Sequence, residues 1–231
     1  MERDFTQFEE KAGVTFQDKS LLQQAFTHRS YINEHKRSGA AHNERLEFLG
    51  DAVLELVITD FLYKKYPDKP EGELTSYRAA LVNAQTCSDV AGELNLNDFL
   101  LLSKGESKDT GRARQYILAD MLEAVIGAIY LDQGYDKARD FIAAHLSPRI
   151  DEIVEKGNWI DAKSRFQEMA QEHAGITPVY QVVEESGPDH DKRFVVGVFL
   201  ADEQVALGEG NSKQEAEQKA AERGLEEKGW N

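Results

Sequence analysis

Along the first two thirds of the chain, apolar positions recur at three- and four-residue spacing, the pattern of helices with one buried face. Asp18 is placed to cap a helix through Leu21, Leu22, Ala25 and Phe26. The stretch His42–Leu62, HNERLEFLGDAVLELVITDFL, predicts a longer helix that ends by Tyr66-Pro67, because proline disfavours helical backbone just before it. Thr75 or Ser76 is a candidate cap for SYRAALVNAQTCSDVAGEL, read as one helix. A loop follows at Ser103–Arg114, SKGESKDTGRAR, rich in Lys, Arg and Gly. After it, Tyr116–Leu131 is apolar nearly all round and predicts a helix buried on most sides. A further helix runs from Tyr135 to about Leu146, after the turn Asp132-Gln133-Gly134, and Pro148 begins the exit.

Near Lys156-Gly157-Asn158 the texture changes. Asp161–His173 reads as a helix, and then the period becomes two: Tyr180 and Val182 flank Gln181, and Phe194, Val196, Val198 and Leu200 alternate with Val195, Gly197 and Phe199. With Val205 and Leu207 these predict three strands, followed by a helix from Ser212 to about Lys228. The expected architecture is multidomain. An all-α domain at 1–156 and a linker at 157–160 precede a small α+β domain at 161–231 with the order α-β-β-β-α.

Acidic residues interrupt this apolar pattern in a regular way. Glu44, Glu47 and Asp51 stand at i, i+3 and i+7, so they share one face of their helix. Asp120 and Glu123 are the only charged residues in Tyr116–Leu131, and they too are three apart. Glu44 and Glu47 alone are ordinary, since one ExxE on a helix is usually a solvated face, but that reading is weaker for Asp120 and Glu123, whose flanks are so apolar. Two apolar helices each offering acids, with Arg45 almost the only base among them, call for a partner, since buried carboxylates must be paired or neutralised. A hard cation such as Mg²⁺, which takes oxygen ligands and keeps several waters, suits that set. The chain has neither HExxH nor a Cys ligand pair, which directs the reading to metal-assisted phosphodiester chemistry. Glu55 and Asp60 read as surface or capping residues.

Charge complicates this picture. The chain of 231 residues has a formal net charge of −15, the wrong sign for long-range attraction to a nucleic acid. Residues 161–231 hold eight Lys and Arg against fifteen Asp and Glu, and residues 1–160 hold nineteen against twenty-seven. Nucleic-acid binding must then rest on local patches or bound cations, and weak, salt-sensitive affinity that depends on Mg²⁺ is expected. No apolar run approaches the roughly 20 residues of a membrane span. The segment MERDFTQFEE has no signal-peptide hydrophobic region, and the single Cys87 reads as a buried thiol, so a reducing, cytoplasmic setting is expected.

Several segments together resemble a known family. NERLEFLGDAVL at 43–54 resembles the signature segment of the ribonuclease III family, and LADMLEAVIGAIYLDQG at 118–134 resembles its second metal-binding segment. THRSYINE at 27–34, PEGELTSYRAALVN at 70–83 and the basic loop fall in the family's order. DAKSRFQEMAQE, GPDHDKRFVV and GEGNSKQEAEQKAAE in the last third are similar to a double-stranded-RNA-binding domain. The resemblance covers nearly the whole chain and is to the short bacterial form, not to the long Dicer or Drosha forms.

The resemblance implies an endoribonuclease that cuts duplex RNA with Mg²⁺, for which Mn²⁺ can substitute. It would leave 5′-phosphates, 3′-hydroxyls and short 3′ overhangs, and act in ribosomal, messenger and transfer RNA processing. It implies metal residues at Glu47, Asp51, Asp120 and Glu123, with Glu123 ligating the catalytic ion and Asp51 near the attacking water. Glu44 and Glu71 match acidic positions along the RNA path. Phe48, otherwise an ordinary core aromatic, matches a residue that enters a socket on the partner chain of a homodimer. RNA contacts are implied at Gln167 and Glu168, at His190 (although a lone loop histidine is more often merely solvated), and at Ser212, Lys213 and Lys219. Two positions depart from the family: Gln214, where a second basic residue is frequent, and Tyr116, where a small residue is common. The rival readings are a duplex-RNA-binding protein that keeps the nuclease fold only to dimerise, and a metal phosphohydrolase acting on small nucleotides. Retention of Asp51 and Glu123 opposes the first, and the C-terminal domain opposes the second.

Overall fold

The computed structural model describes residues 5–35, 41–108, 110–155, 162–188 and 192–230. The chain divides into two compact units, Met1–Trp159 and Ile160–Asn231. The expected linker at 157–160 lies outside the described residues.

The first unit is helical: α1 (Thr6–Ala12), α2 (Lys19–Ala25), α3 (Arg29–Glu34), α4 (Glu44–Lys65), α5 (Glu71–Val82), α6 (Ala84–Glu93), α7 (Arg112–Gln133), α8 (Tyr135–His145) and α9 (Arg149–Glu155). Asp18 caps α2 as expected, its carboxylate accepting from the Ser20 N–H at 2.9 Å. At its centre α4 packs on α7. Leu46, Val53, Leu54, Val57, Ile58 and Leu62 of α4 are buried, and α7 buries ten residues from Ile117 to Ile129. Two glycines set how closely these helices approach. A Cβ added to Gly50 would lie 1.7 Å from the Glu123 carbonyl oxygen, and one added to Gly127 would lie 2.2 Å from the Leu46 carbonyl oxygen. Backbone therefore meets backbone at this crossing, a separation that larger residues would forbid.

Some boundaries differ from the sequence expectations. The helix after Pro70 begins at Glu71 rather than at Thr75 or Ser76, and Glu71 and Glu73 occupy its first turn, where the helix dipole favours acids. It is also two helices, not one. Asn83 takes an extended conformation (φ −69°, ψ 160°), its side chain donates to the Ala80 carbonyl at 3.0 Å, and it accepts from the Thr86 N–H at 2.9 Å. An Asn side chain that satisfies the backbone on both sides offers an alternative to the helix ladder. The end of the basic loop is helical from Arg112, and α9 follows Pro148, where only an exit was expected.

The second unit has α10 (Ala162–Ala174), β1 (Val179–Ser186), β2 (Arg193–Leu200), β3 (Glu203–Gly210) and α11 (Lys213–Lys228). The antiparallel sheet has the order β1-β2-β3, with Tyr180 opposite Val198 and Val198 opposite Ala206. One face packs on both helices around Phe166, Ala170, Val198, Leu200, Ala220, Ala221 and Leu225. Gly208 admits α11 against β3: a Cβ there would lie 2.2 Å from the Ala216 carbonyl oxygen. Gly229, in the left-handed region at φ 65°, ends α11.

Candidate active site and nucleic-acid interface

The crossing of α4 and α7 brings acids from distant parts of the chain together. Carboxylate oxygens of Glu47, Asp120 and Glu123 lie within 4.8 Å of one another, and all three residues are half-buried. Asp51, one turn along α4 from Glu47, is exposed and lies outside that trio. Its charge is nonetheless the strongest neighbouring influence on Glu123. None of the four carboxylates pairs with a lysine or arginine among the described residues.

Electrostatics follow from that isolation. Burial, reinforced by Asp120, Glu44 and Asp51, raises the Glu47 carboxyl to about 7. Burial, with Asp51, Asp120, Glu47 and Glu55 adding to it, raises Glu123 to about 8. Burial raises Asp120 as well. Each group would gain from a positive charge, and the donors are all carboxylate oxygens. Such a set fits a hard divalent cation and not a soft one.

Other acids of these helices have protein partners. Glu44 sits 3.2 Å from the Arg29 guanidinium and 3.7 Å from His42 Nδ1. Glu55 pairs with Arg78 at 2.9 Å and Asp60 with Lys64 at 2.7 Å, in keeping with surface roles. Glu71 is exposed in the first turn of α5. Cys87 is buried, and burial pushes its thiol up to about 12, so it is an inert core residue. Sequence reasoning does not single out Gly50 and Gly127, which let the helices that carry the acids approach.

A ribonuclease-III-like family model matches residues 18–150, and a double-stranded RNA binding motif matches residues 162–228. The chain is 45% identical to Ribonuclease 3 of Oceanobacillus iheyensis over 223 residues, 96% of this chain and 97% of the relative. It is 44% identical to Ribonuclease 3 of Enterococcus faecalis over 95% of each. The chain belongs to the ribonuclease III family. Among solved structures, the nuclease domain of the Campylobacter jejuni ribonuclease III matches with TM-score 0.57 and 40% identity, covering 63% of this chain and 97% of that one. As a member of that family with both domains, the chain is an endoribonuclease for double-stranded RNA.

The RNA-binding unit presents its candidate contacts on two helices. Gln167 and Glu168 are exposed on α10, beside the buried Phe166. Ser212 caps α11, its hydroxyl accepting from the Glu215 N–H at 3.2 Å, while Glu215 accepts from the Asn211 N–H at 2.8 Å. These two bonds, one from each side of the N-cap, fix the helix start. Lys213 is exposed, with its ammonium 5.7 Å from the Phe194 ring centroid. Lys219 is held by Glu215 at 2.7 Å, and Gln214 is exposed. His190 lies outside the described residues.

Proposed function

We propose that Glu47, Asp120 and Glu123, with Asp51 at their rim, hold a divalent ion, Mg²⁺ or in its place Mn²⁺, for hydrolysis of duplex RNA. The close approach of three half-buried carboxylates, with no cationic partner among the described residues, carries this reading. When bound, the ion would activate water and stabilise the leaving oxygen. Glu123 is the innermost ligand in this reading, and exposed Asp51 orients the incoming water from the rim. Glu44, held by Arg29, and Glu71, at the start of α5, border the RNA path. Hydrolysis in this sense leaves 5′-phosphate and 3′-hydroxyl ends with short 3′ overhangs. Ribosomal RNA precursors and structured messenger RNA in the cytoplasm are the proposed substrates.

The second unit adds shape recognition through Gln167, Glu168, His190, Ser212, Lys213 and Lys219, with the N-terminus of α11 favouring phosphate. A homodimer fits the outer face of α4. Phe48, Leu56 and Tyr63 are 81%, 58% and 72% exposed, and together with Ala52 and Thr59 they share one helical stripe. The Campylobacter jejuni structure is described by a region involved in dimer formation of its nuclease domain. Phe48→Glu is expected to shift the protein toward monomer in sedimentation; an unchanged dimer would remove Phe48 from the interface.

The test is incubation of a long RNA duplex with the protein and Mg²⁺, beside Glu123→Gln. Cleavage by the parent, lost in the variant and without Mg²⁺, is expected. Equal cleavage by both would refute the carboxylate assignment.

A further inference from the structure

The carboxylate site lies in a protein of net charge −15 and is approached by a polyanion, so the position of nearby cations matters. Several described lysines and arginines around α4 and α7 are tied to acids, as Arg29 is to Glu44, Arg78 to Glu55 and Lys64 to Asp60, while exposed Arg45 of α4 has no carboxylate partner among the described residues. Arg112 has none either. It opens α7, is exposed, and forms no ion pair with a carboxylate among the described residues. Instead it is held by Tyr116, one turn along: its Nη2 donates to the Tyr116 hydroxyl at 3.2 Å, and its guanidinium carbon stands 5.8 Å from the ring centroid.

Two physical points mark this pair. Residues 112, 116, 120 and 123 stand at i, i+4, i+8 and i+11, so Arg112 and Tyr116 continue the helical face that carries Asp120 and Glu123. At 1.5 Å per residue, Tyr116 is about 6 Å and Arg112 about 12 Å from Asp120 along the axis. A cation in the first turn of a helix also opposes the helix dipole, and α7 has no acid there to offset it. Apart from its contact with Tyr116, local stability gives no reason for an arginine at this place. Tyr116, 46% exposed, covers little of the core.

We propose that Arg112, braced by Tyr116, is a substrate-positioning residue that takes a backbone phosphate of the duplex beside the carboxylate cluster. Tyr116 holds the guanidinium extended along α7, so less side-chain freedom is lost when phosphate binds. The pair places positive charge next to a site that otherwise repels RNA, and it gives a role to a tyrosine that departs from the small residue common in the family. This inference rests on the carboxylate reading above.

The test compares Arg112→Gln, Arg112→Lys, Tyr116→Ser and Tyr116→Phe in the full-length protein. Steady-state cleavage of a defined duplex is measured with Mg²⁺ across a salt series. Arg112→Gln is expected to raise KM about tenfold, the scale of one lost charged hydrogen bond, with kcat little changed. The salt slope of log kcat/KM should fall by about 0.9, one phosphate contact fewer. Arg112→Lys should restore the slope, and Tyr116→Ser should raise KM less while keeping the slope. Tyr116→Phe should fall between Tyr116→Ser and the parent. The same slope is read from equilibrium duplex binding in a Glu123→Gln background with Ca²⁺, which is independent of turnover. Loss of kcat without change in KM or slope, or Arg112→Gln behaving as the parent in both assays, would overturn the proposal. A parent that binds duplex but does not cut would overturn the carboxylate reading instead.

Discussion

The carboxylate cluster of the nuclease unit and the paired acids of the RNA-binding unit show the same residue type in opposite settings. In the RNA-binding unit several carboxylates have protein partners: Glu215 with Lys219, Glu185 with Lys192 and Glu203 with Lys228, at 2.7 to 2.8 Å. The lysine hydrogen bonds hold Glu185 and Glu215 below the usual carboxylate range. In the nuclease unit, Glu47 and Glu123 have acid neighbours and no cation among the described residues, and burial raises them to about 7 and about 8. Acids that serve structure are satisfied within the chain. Acids left unsatisfied on two helices held at backbone contact mark the place where something outside the chain completes the charge balance.

Removing an acid from each set should separate them most sharply. Glu123→Gln is expected to lower cleavage on the order of 10³-fold while duplex binding persists, the scale for loss of one preorganised electrostatic group. Glu215→Ala should retain cleavage chemistry and lose the side-chain bonds to the Asn211 N–H and to Lys219, visible as reduced thermal stability of the second unit. Comparable kcat losses in both variants would erase the distinction.

A smaller effect tests the crossing itself. Gly127→Ala puts a methyl group where the Leu46 carbonyl oxygen stands, so the helices must separate. We expect a loss of roughly 1–3 kcal/mol in urea denaturation, typical of overpacking, with a weaker response to Mg²⁺. Unchanged stability and cleavage would show that convergence of the acids does not depend on this contact. Smaller still, Ser212→Ala should cost about 1 kcal/mol through the lost cap of α11. Its effect on duplex binding should exceed its effect on kcat.

Much of this arrangement was legible in the residues. The i, i+3 spacing of Asp120 and Glu123 in a helix with so few charges marked a buried acid pair, and the change to a two-residue period located the sheet. Ser212 and Asp18 announced their caps through side-chain chemistry that acts locally. What could not be read depends on distance in space. That Glu44 is held by Arg29 while Glu47 is not is decided by how α3 packs beside α4, although both acids share a helical stripe. The importance of Gly50 and Gly127 emerges only when two helices some 70 residues apart are laid together. Asn83 divided α5 from α6 because its side chain bonds to the backbone on both sides, a choice that the apolar pattern across it does not encode.

Protons and a divalent ion compete for the same carboxylates. Glu123, raised from its ordinary 4.5 to about 8, favours the folded metal-free protein while protonated. Its contribution is fully present below about 4.5 and is lost as pH rises through about 8, so metal-free stability should decline across that window and Glu123→Gln should flatten the decline. A divalent ion that needs the ionised carboxylates must then displace protons. The most direct measurement is calorimetric titration of Mg²⁺ into the metal-free protein at pH 7, in buffers of different ionisation enthalpy. Proton release on binding is expected, diminished in Glu123→Gln. Binding without proton release, or equal release from parent and variant, would contradict the carboxylate assignment.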